Sequence, residues 1–328
     1  MRHRRWNPLN KPLLQVENLK KYFQTPGGTL HAVDGVSFTL HSGSTLGVVG
    51  ESGCGKSTMG RAILRLHEPT SGKVIFDGTD VTACSKRELK QLRERMQIIF
   101  QDPFASINPR MTVSQTIMEP LIIQKKMDRR DKAGLERKAL EIMELVGLAP
   151  RLVNSYPHEL DGGRRQRIGI GRALVLDPKF IVCDEPVSAL DVSIQAQILN
   201  LMQDVQKQMG LTYLFITHDL SVVKHFSDEI LVMYLGQMVE KCGAKQLFAN
   251  PMHPYTRALL SAIPVPDPHV RMEKIPLKGE LSSPIDPPVG CRFAKRCPYV
   301  CSACTQADIP LRELEPGHFV ACTKAGER

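Results

Sequence analysis

GESGCGKST, residues 50–58, stands between the apolar run TLGVV (45–49) and a segment whose pattern predicts a helix from about Ser57. It satisfies the spacing G-x-x-x-x-G-K-[ST] in the setting that gives this motif its meaning: strand, glycine-rich turn, helix. Glycines at 50, 53 and 55 let successive N–H groups turn toward an anion, and the helix start adds a favourable dipole. Gly50, Ser52, Gly53, Gly55, Lys56, Ser57 and Thr58 are therefore candidate nucleotide-binding residues. Lys56 is placed to reach the β and γ phosphates, and Ser57 to offer its hydroxyl to Mg²⁺.

A P-loop needs an acidic partner, and FIVCDEP (180–186) supplies one. Four apolar residues predict a buried strand that ends at Asp184 and Glu185. Asp184 would hold Mg²⁺, directly or through water, and Glu185 would polarise the attacking water. Further strands are predicted in LLQVEN (13–18), GVSFTL (35–40), KVIFDG (73–78), MQIIF (96–100) and TYLFITH (212–218). Helices are predicted over SKRELKQLRERM (85–96), RRDKAGLERKALEIMELVGL (129–148) and VSIQAQILNLMQDVQKQ (192–208), with Gly147 closing the second. The segment from Asp102 to about Leu176 reads as mostly helical. Alternation of strand and helix on either side of it predicts an α/β fold with a parallel sheet.

Composition narrows the function classes. The 328 residues include 43 Lys and Arg against 34 Asp and Glu, a net charge of +9. The excess is scattered, with no long basic block and no RNA-type aromatic motif, so a solvated basic surface is favoured over nucleic-acid binding. No run is apolar enough to cross a bilayer, and the start, MRHRRWNPLNKPLLQ, lacks the apolar stretch of an export signal. A cytosolic chain is the expectation. Prolines gather from Pro251, in IPVPDPHV (263–270) and SSPIDPPVG (282–290), and predict an appended, loop-rich region. Of nine cysteines, Cys291, Cys297, Cys301, Cys304 and Cys322 crowd this last segment, which in an intracellular chain suggests metal rather than disulfides.

Several further motifs make the chain resemble the ATP-binding subunit of an ABC transporter over almost its whole length. FQDPFASINPR (100–110) resembles the family's Q-loop, with Gln101 as its glutamine. SALD (188–191) resembles the D-loop, and ITHD (216–219) carries the switch histidine, His218. Phe23, in VENLKKYF (16–23), sits where the family stacks a ring on adenine; Tyr22 is the alternative. NPMHPYTRALLSAIP (250–264) and the cysteine-bearing tail resemble the peptide and nickel importers, with dipeptide permease ATPases nearest in pattern.

The resemblance implies a P-loop NTPase core of RecA-like type, an antiparallel β subdomain, a helical subdomain and a cysteine-rich extension. The boundaries it suggests are 1–101 for the first part of the core with the β subdomain, 102–170 for the helical subdomain, 171–249 for the rest of the core and 250–328 for the extension. It implies ATP hydrolysis with Glu185, His218 and Gln101 as catalytic residues, and Mg²⁺ held by Ser57, Gln101 and Asp184. It also implies a second, non-identical ATPase, two transmembrane permease subunits and an extracytoplasmic peptide-binding protein. The chain would sit peripherally on the cytoplasmic face of the inner membrane and drive import of dipeptides or short peptides. Nickel or another small solute is the alternative cargo. A soluble ATPase acting on ribosomes or DNA is the rival class, against which the single cassette and the absence of a long insertion weigh.

Two stretches depart from the plain pattern. LDGGRRQRIGIGRAL (160–174) occupies the place of the family's L-S-G-G-Q signature, which faces the nucleotide on the opposite subunit. Gly162 and Gly163 remain, four arginines (Arg164, Arg165, Arg167 and Arg172) follow, but Asp161 replaces serine. An ionised carboxylate can only accept hydrogen bonds and should repel a γ-phosphate oxygen unless Arg164 or Arg165 neutralises it. In the tail, Cys291, Cys297, Cys304 and Cys322 follow C-x5-C-x6-C-x17-C. In related importer subunits such a tail holds a [4Fe–4S] cluster, for which four thiolates are the ligand set. Cys301 adds a C-x2-C step with Cys304 that would also suit Zn²⁺.

Overall fold

Short apolar runs bounded by turn residues become strands, and the amphipathic charged runs become the helices that cover them. The computed structural model describes residues 12–263, 274–277, 279 and 283–326. The basic start and most of the IPVPDPHV run lie outside the described residues.

The first sheet is antiparallel and runs β2-β1-β4-β5, from β1 (Pro12–Thr25), β2 (Gly28–His41), β4 (Ser71–Phe76) and β5 (Thr79–Asp80). The second has the order β11-β12-β10-β9-β3-β8-β7-β6. Its strands are β3 (Thr45–Val49), β6 (Met96–Ile99), β7 (Phe180–Asp184), β8 (Thr212–Ile216), β9 (Glu229–Tyr234), β10 (Gln237–Gly243), β11 (Arg312–Glu315) and β12 (His318–Val320). Pairings from β6 through β7, β8 and β3 to β9 are parallel, as the strand–helix alternation predicts. Five consecutive buried residues in each of β3, β7 and β8 mark them as central strands covered on both faces.

The helical segment follows β6. The helix Lys132–Leu145 lies within the predicted 129–148, and Gly147 adopts φ +67, the left-handed conformation that ends such a helix. The arginine-bearing helix Gly162–Leu174 packs against the helices Val113–Ile123 and Lys132–Leu145.

Beyond the helix Pro254–Ser261, the described residues of the last segment are mainly loop, as its prolines suggest, but they include the short strands β11 and β12. The β9–β10 hairpin turns at Leu235 and Gly236, and β12 then pairs antiparallel with β10, so the tail extends the second sheet. A buried contact fastens it: His318 Nε2 lies 2.7 Å from Glu240 Oε1, both side chains being fully buried. The same carboxylate accepts the N–H groups of Met252 and His253. One acidic residue on β10 thus fixes both β12 and the chain entering the helix Pro254–Ser261.

Candidate nucleotide site

Parallel strands bring their carboxyl ends to one edge, and the order β3-β8-β7-β6 sets the chemistry-bearing residues side by side there. The P-loop leaves β3, Asp184 and Glu185 end β7, His218 follows β8 and Gln101 follows β6. Positions separated by more than a hundred residues become neighbours.

In the P-loop, Gly55 has φ +103, and a Cβ there would come within 1.9 Å of the Ala32 carbonyl oxygen. Both the backbone sign and the close approach to β2 require glycine. Lys56 is buried, and its Nζ donates to the carbonyls of Gly50 at 2.8 Å and Glu51 at 3.0 Å. The ammonium therefore sits at the centre of the loop rather than in solvent. Ser57 Oγ donates to Asp184 Oδ1 at 2.5 Å, and Arg61 Nη2 stands 3.3 Å from Asp184 Oδ2. Ser57 and Asp184 thus present adjacent oxygen donors, the set a hard divalent cation takes. Arg61, which the sequence reading missed, screens that carboxylate from the helix following the loop.

Glu185 has φ +48, a conformation unusual for a residue with a side chain. Its N–H is anchored on the Ile216 carbonyl of β8 at 3.0 Å, so the turn is held by the neighbouring strand. Its carboxylate meets Gln101 Nε2 at 3.0 Å and His218 Nδ1 at 3.3 Å. The three residues expected to act together converge on one oxygen. Gln101 is engaged through its amide nitrogen, which leaves the carbonyl oxygen as the atom able to ligate a metal.

Phe23 is half-buried, meets His67 edge-on at 5.7 Å between centroids and carries Lys21 Nζ at 4.6 Å. Tyr22 is committed elsewhere: it stacks on His31 at 4.0 Å and donates to Asp34 Oδ1 at 2.5 Å.

Asp161 is the N-cap of the helix Gly162–Leu174 and accepts the Arg164 N–H at 2.8 Å. The Arg164 guanidinium pairs with its other oxygen at 3.3 Å. Arg165 does not contribute, being buried with its face on the Phe104 ring and Nε bonded to the Pro157 carbonyl at 2.6 Å. Arg167 and Arg172 bond the carbonyls of Val146 and Ser106. Three of the four arginines that follow the signature glycines are therefore internal braces, because carbonyls orphaned at helix ends and turns need donors. Gly162 and Gly163 pack on Leu190 and Ile194, beside the SALD stretch.

In the tail, Cys291, Cys297, Cys304 and Cys322 line one small cavity with His253 and Phe293. Burial pushes the Cys291 thiol up to about 11, so its thiolate form needs a positive centre beside it. Cys297 Sγ accepts the Tyr299 N–H at 3.4 Å. Cys301 Sγ lies 3.6 Å from Cys304 Sγ. Sulfurs sharing one tetrahedral zinc stand about 3.8 Å apart. Yet among the described residues no three His, Cys, Asp or Glu side chains gather closely enough for a single ion. That absence bears on the expected [4Fe–4S] cluster as much as on the zinc alternative.

Residues 33–188 match the family model described as "ABC transporter", and residues 239–304 that described as "Oligopeptide/dipeptide transporter, C-terminal region". The Oligopeptide transport ATP-binding protein OppF of Salmonella typhimurium is 52% identical over 326 residues, covering 96% of each chain. The chain belongs to the ABC transporter family. The Oligopeptide transport ATP-binding protein AppF of Bacillus subtilis is 51% identical over 320 residues, 94% of this chain and 96% of its own. Among solved ABC structures, the ATP-binding cassette MJ0796 bound to ADP and Pi superposes with a TM-score of 0.65 at 28% identity, covering 70% of this chain and 98% of that one. CbiO1 from Clostridium perfringens gives 0.63 at 27%, covering 73% and 91%. This ABC chain has no helix long and apolar enough to cross a membrane among its described residues.

Proposed function

We propose that this chain is the ATP-hydrolysing subunit of an importer for dipeptides or short peptides. The observation that carries the cargo class is the match of residues 239–304 to the oligopeptide/dipeptide transporter C-terminal region, on a chain that also holds the full set of P-loop residues. The chain works as four regions: 1–101 and 171–249 as the ATPase core, 102–170 as the surface that receives the permeases, and 250–328 as the extension. It is peripheral on the cytoplasmic face of the inner membrane, paired with a non-identical ATPase beneath two permease subunits fed by an extracytoplasmic binding protein.

Hydrolysis is in-line attack of water on the γ-phosphoryl group, for which the protein supplies positioning and charge. Phe23 stacks on adenine, Lys56 and the loop N–H groups hold the phosphates, and Ser57, Asp184 and Gln101 hold Mg²⁺. The ion, when bound, neutralises charge on the β and γ oxygens. Glu185 orients and polarises the water, while His218 reports the γ-phosphate. Asp161, Gly162 and Gly163 face the nucleotide on the partner ATPase.

A [4Fe–4S] cluster on Cys291, Cys297, Cys304 and Cys322 is part of this reading. The tail's likeness to cluster-bearing importer subunits and the cavity that the four cysteines line together are what support it. It would brace the extension and takes no part in hydrolysis. Anaerobically purified protein is expected to be brown, with about four iron per chain at full loading; colourless protein with one zinc overturns it. For cargo, the transporter reconstituted in vesicles is expected to take up labelled dipeptide when ATP is inside. Nickel uptake with no peptide uptake would overturn the peptide reading.

A further inference from the structure

Glu51 is the second residue of the P-loop, an odd place for a carboxylate in a loop that must hold phosphates. Its own N–H does not point to a ligand; it donates to the Tyr255 hydroxyl at 2.9 Å. Tyr255 is fully buried on the helix Pro254–Ser261 and packs with Tyr234 and Phe293. The Glu51 carboxylate is taken by Arg296, with Nη1 to Oε2 at 2.8 Å and Nη2 to Oε1 at 3.2 Å. That is a two-pronged guanidinium–carboxylate contact, the geometry lysine cannot reproduce. Arg296 is itself buried, its Nη1 3.5 Å from the Tyr234 hydroxyl. The Glu51 carbonyl in turn accepts from Lys56 Nζ at 3.0 Å.

We infer that the C-terminal extension positions the phosphate-binding loop, with Arg296 as the positioning residue that neutralises and fixes Glu51. The inference rests on residues 50–58 being the ATP site. Two effects follow from the contact. The carboxylate, left unpaired, would repel an incoming triphosphate, and Arg296 cancels that charge. The loop's first peptide is held by Tyr255 at its N–H and by Arg296 through the side chain, so Lys56 meets a carbonyl of fixed position. The extension reaches across 245 positions of sequence to do this.

The test measures Mg–ATP affinity of the full-length chain by calorimetry, and KM and kcat in the assembled transporter. Arg296→Ala is expected to raise Kd and KM roughly tenfold, the worth of one charge-assisted hydrogen bond, with kcat within about threefold. Glu51→Gln combined with Arg296→Ala is expected to recover most of the lost affinity, because the repelling charge is gone. A purely structural arginine would lower the melting temperature without any such rescue. Unchanged affinity in Arg296→Ala, or no recovery in the double variant, overturns the inference. Should Arg296→Ala fail to fold, Arg296→Lys, which keeps charge but loses the fork, is expected to raise Kd about threefold, and no change there overturns it equally. Lys56→Ala separates the two levels: if it binds ATP as well as the unaltered chain, the loop itself has been misread.

Discussion

Replacing Glu185 by glutamine isolates charge from shape. The carboxylate oxygen that meets Gln101 Nε2 at 3.0 Å and His218 Nδ1 at 3.3 Å is replaced by an amide oxygen that still accepts from both. The left-handed turn at φ +48 is no harder for glutamine than for glutamate. His218 is more than half exposed, so the lost ion pair costs at most about 1 kcal/mol of stability. What disappears, in the proposed mechanism, is the base. General-base assistance contributes about 10²–10⁴ in rate, or roughly 3–5 kcal/mol of barrier. Glu185→Gln is thus expected to lower kcat at least about a hundredfold while ATP affinity and melting temperature stay near those of the unaltered protein. The assay is ATP turnover by the assembled transporter at saturating Mg–ATP, with nucleotide binding measured separately. A kcat within about threefold, with binding intact, would refute the assignment of Glu185 as the group that activates water.

In the proposed pairing with a second ATPase, the Glu185→Gln background isolates turnover of the ATP that the Asp161 loop would cover. Adding Asp161→Ser there keeps the helix cap, since serine caps as well as aspartate, and removes only an exposed pair with Arg164 worth about 0.5 kcal/mol. The residual turnover is expected to rise several-fold with little change in melting temperature; no rise means Asp161 does not restrain the partner site. A pH effect is expected from His253, whose ring burial pushes down to about 4, against a partial opposing pull from the Glu240 carboxylate. Its Nδ1 accepts the Tyr255 N–H at 3.1 Å, which requires the neutral ring. The unfolded chain binds that proton more readily, so the stability the neutral ring confers is present above about pH 6.5 and lost as pH falls toward 4, by about 3 kcal/mol in total. Melting temperatures measured across that window should fall less steeply in His253→Asn, which keeps an acceptor but does not titrate; equal slopes would rule out this source.

Much of the core was legible because its signals are local. An apolar run, three glycines and a lysine within fourteen residues specify β3, the turn and the helix start, since strand burial and phosphate geometry act over that same short range. FIVCDE announced its own strand end in the same way. The tail read as loops because prolines dominate its composition, yet β12 forms there by pairing with β10. The signal is the edge offered by β10, which lies far away in sequence.

Sequence by itself determined the kind of site: a P-loop, an acidic strand end, a glutamine and a histidine of recognisable setting, and a four-cysteine tail. Tertiary structure alone decided which charges remain available to it. Arg165, Arg167 and Arg172 look cationic on paper but bond internal carbonyls, while Arg164 alone answers Asp161. Arg296, unremarkable beside its cysteine neighbours, reaches the P-loop because the extension folds back over the edge of the sheet. A side chain's charge is written in its formula, but its partner is chosen by packing, which joins residues without regard to their distance along the chain.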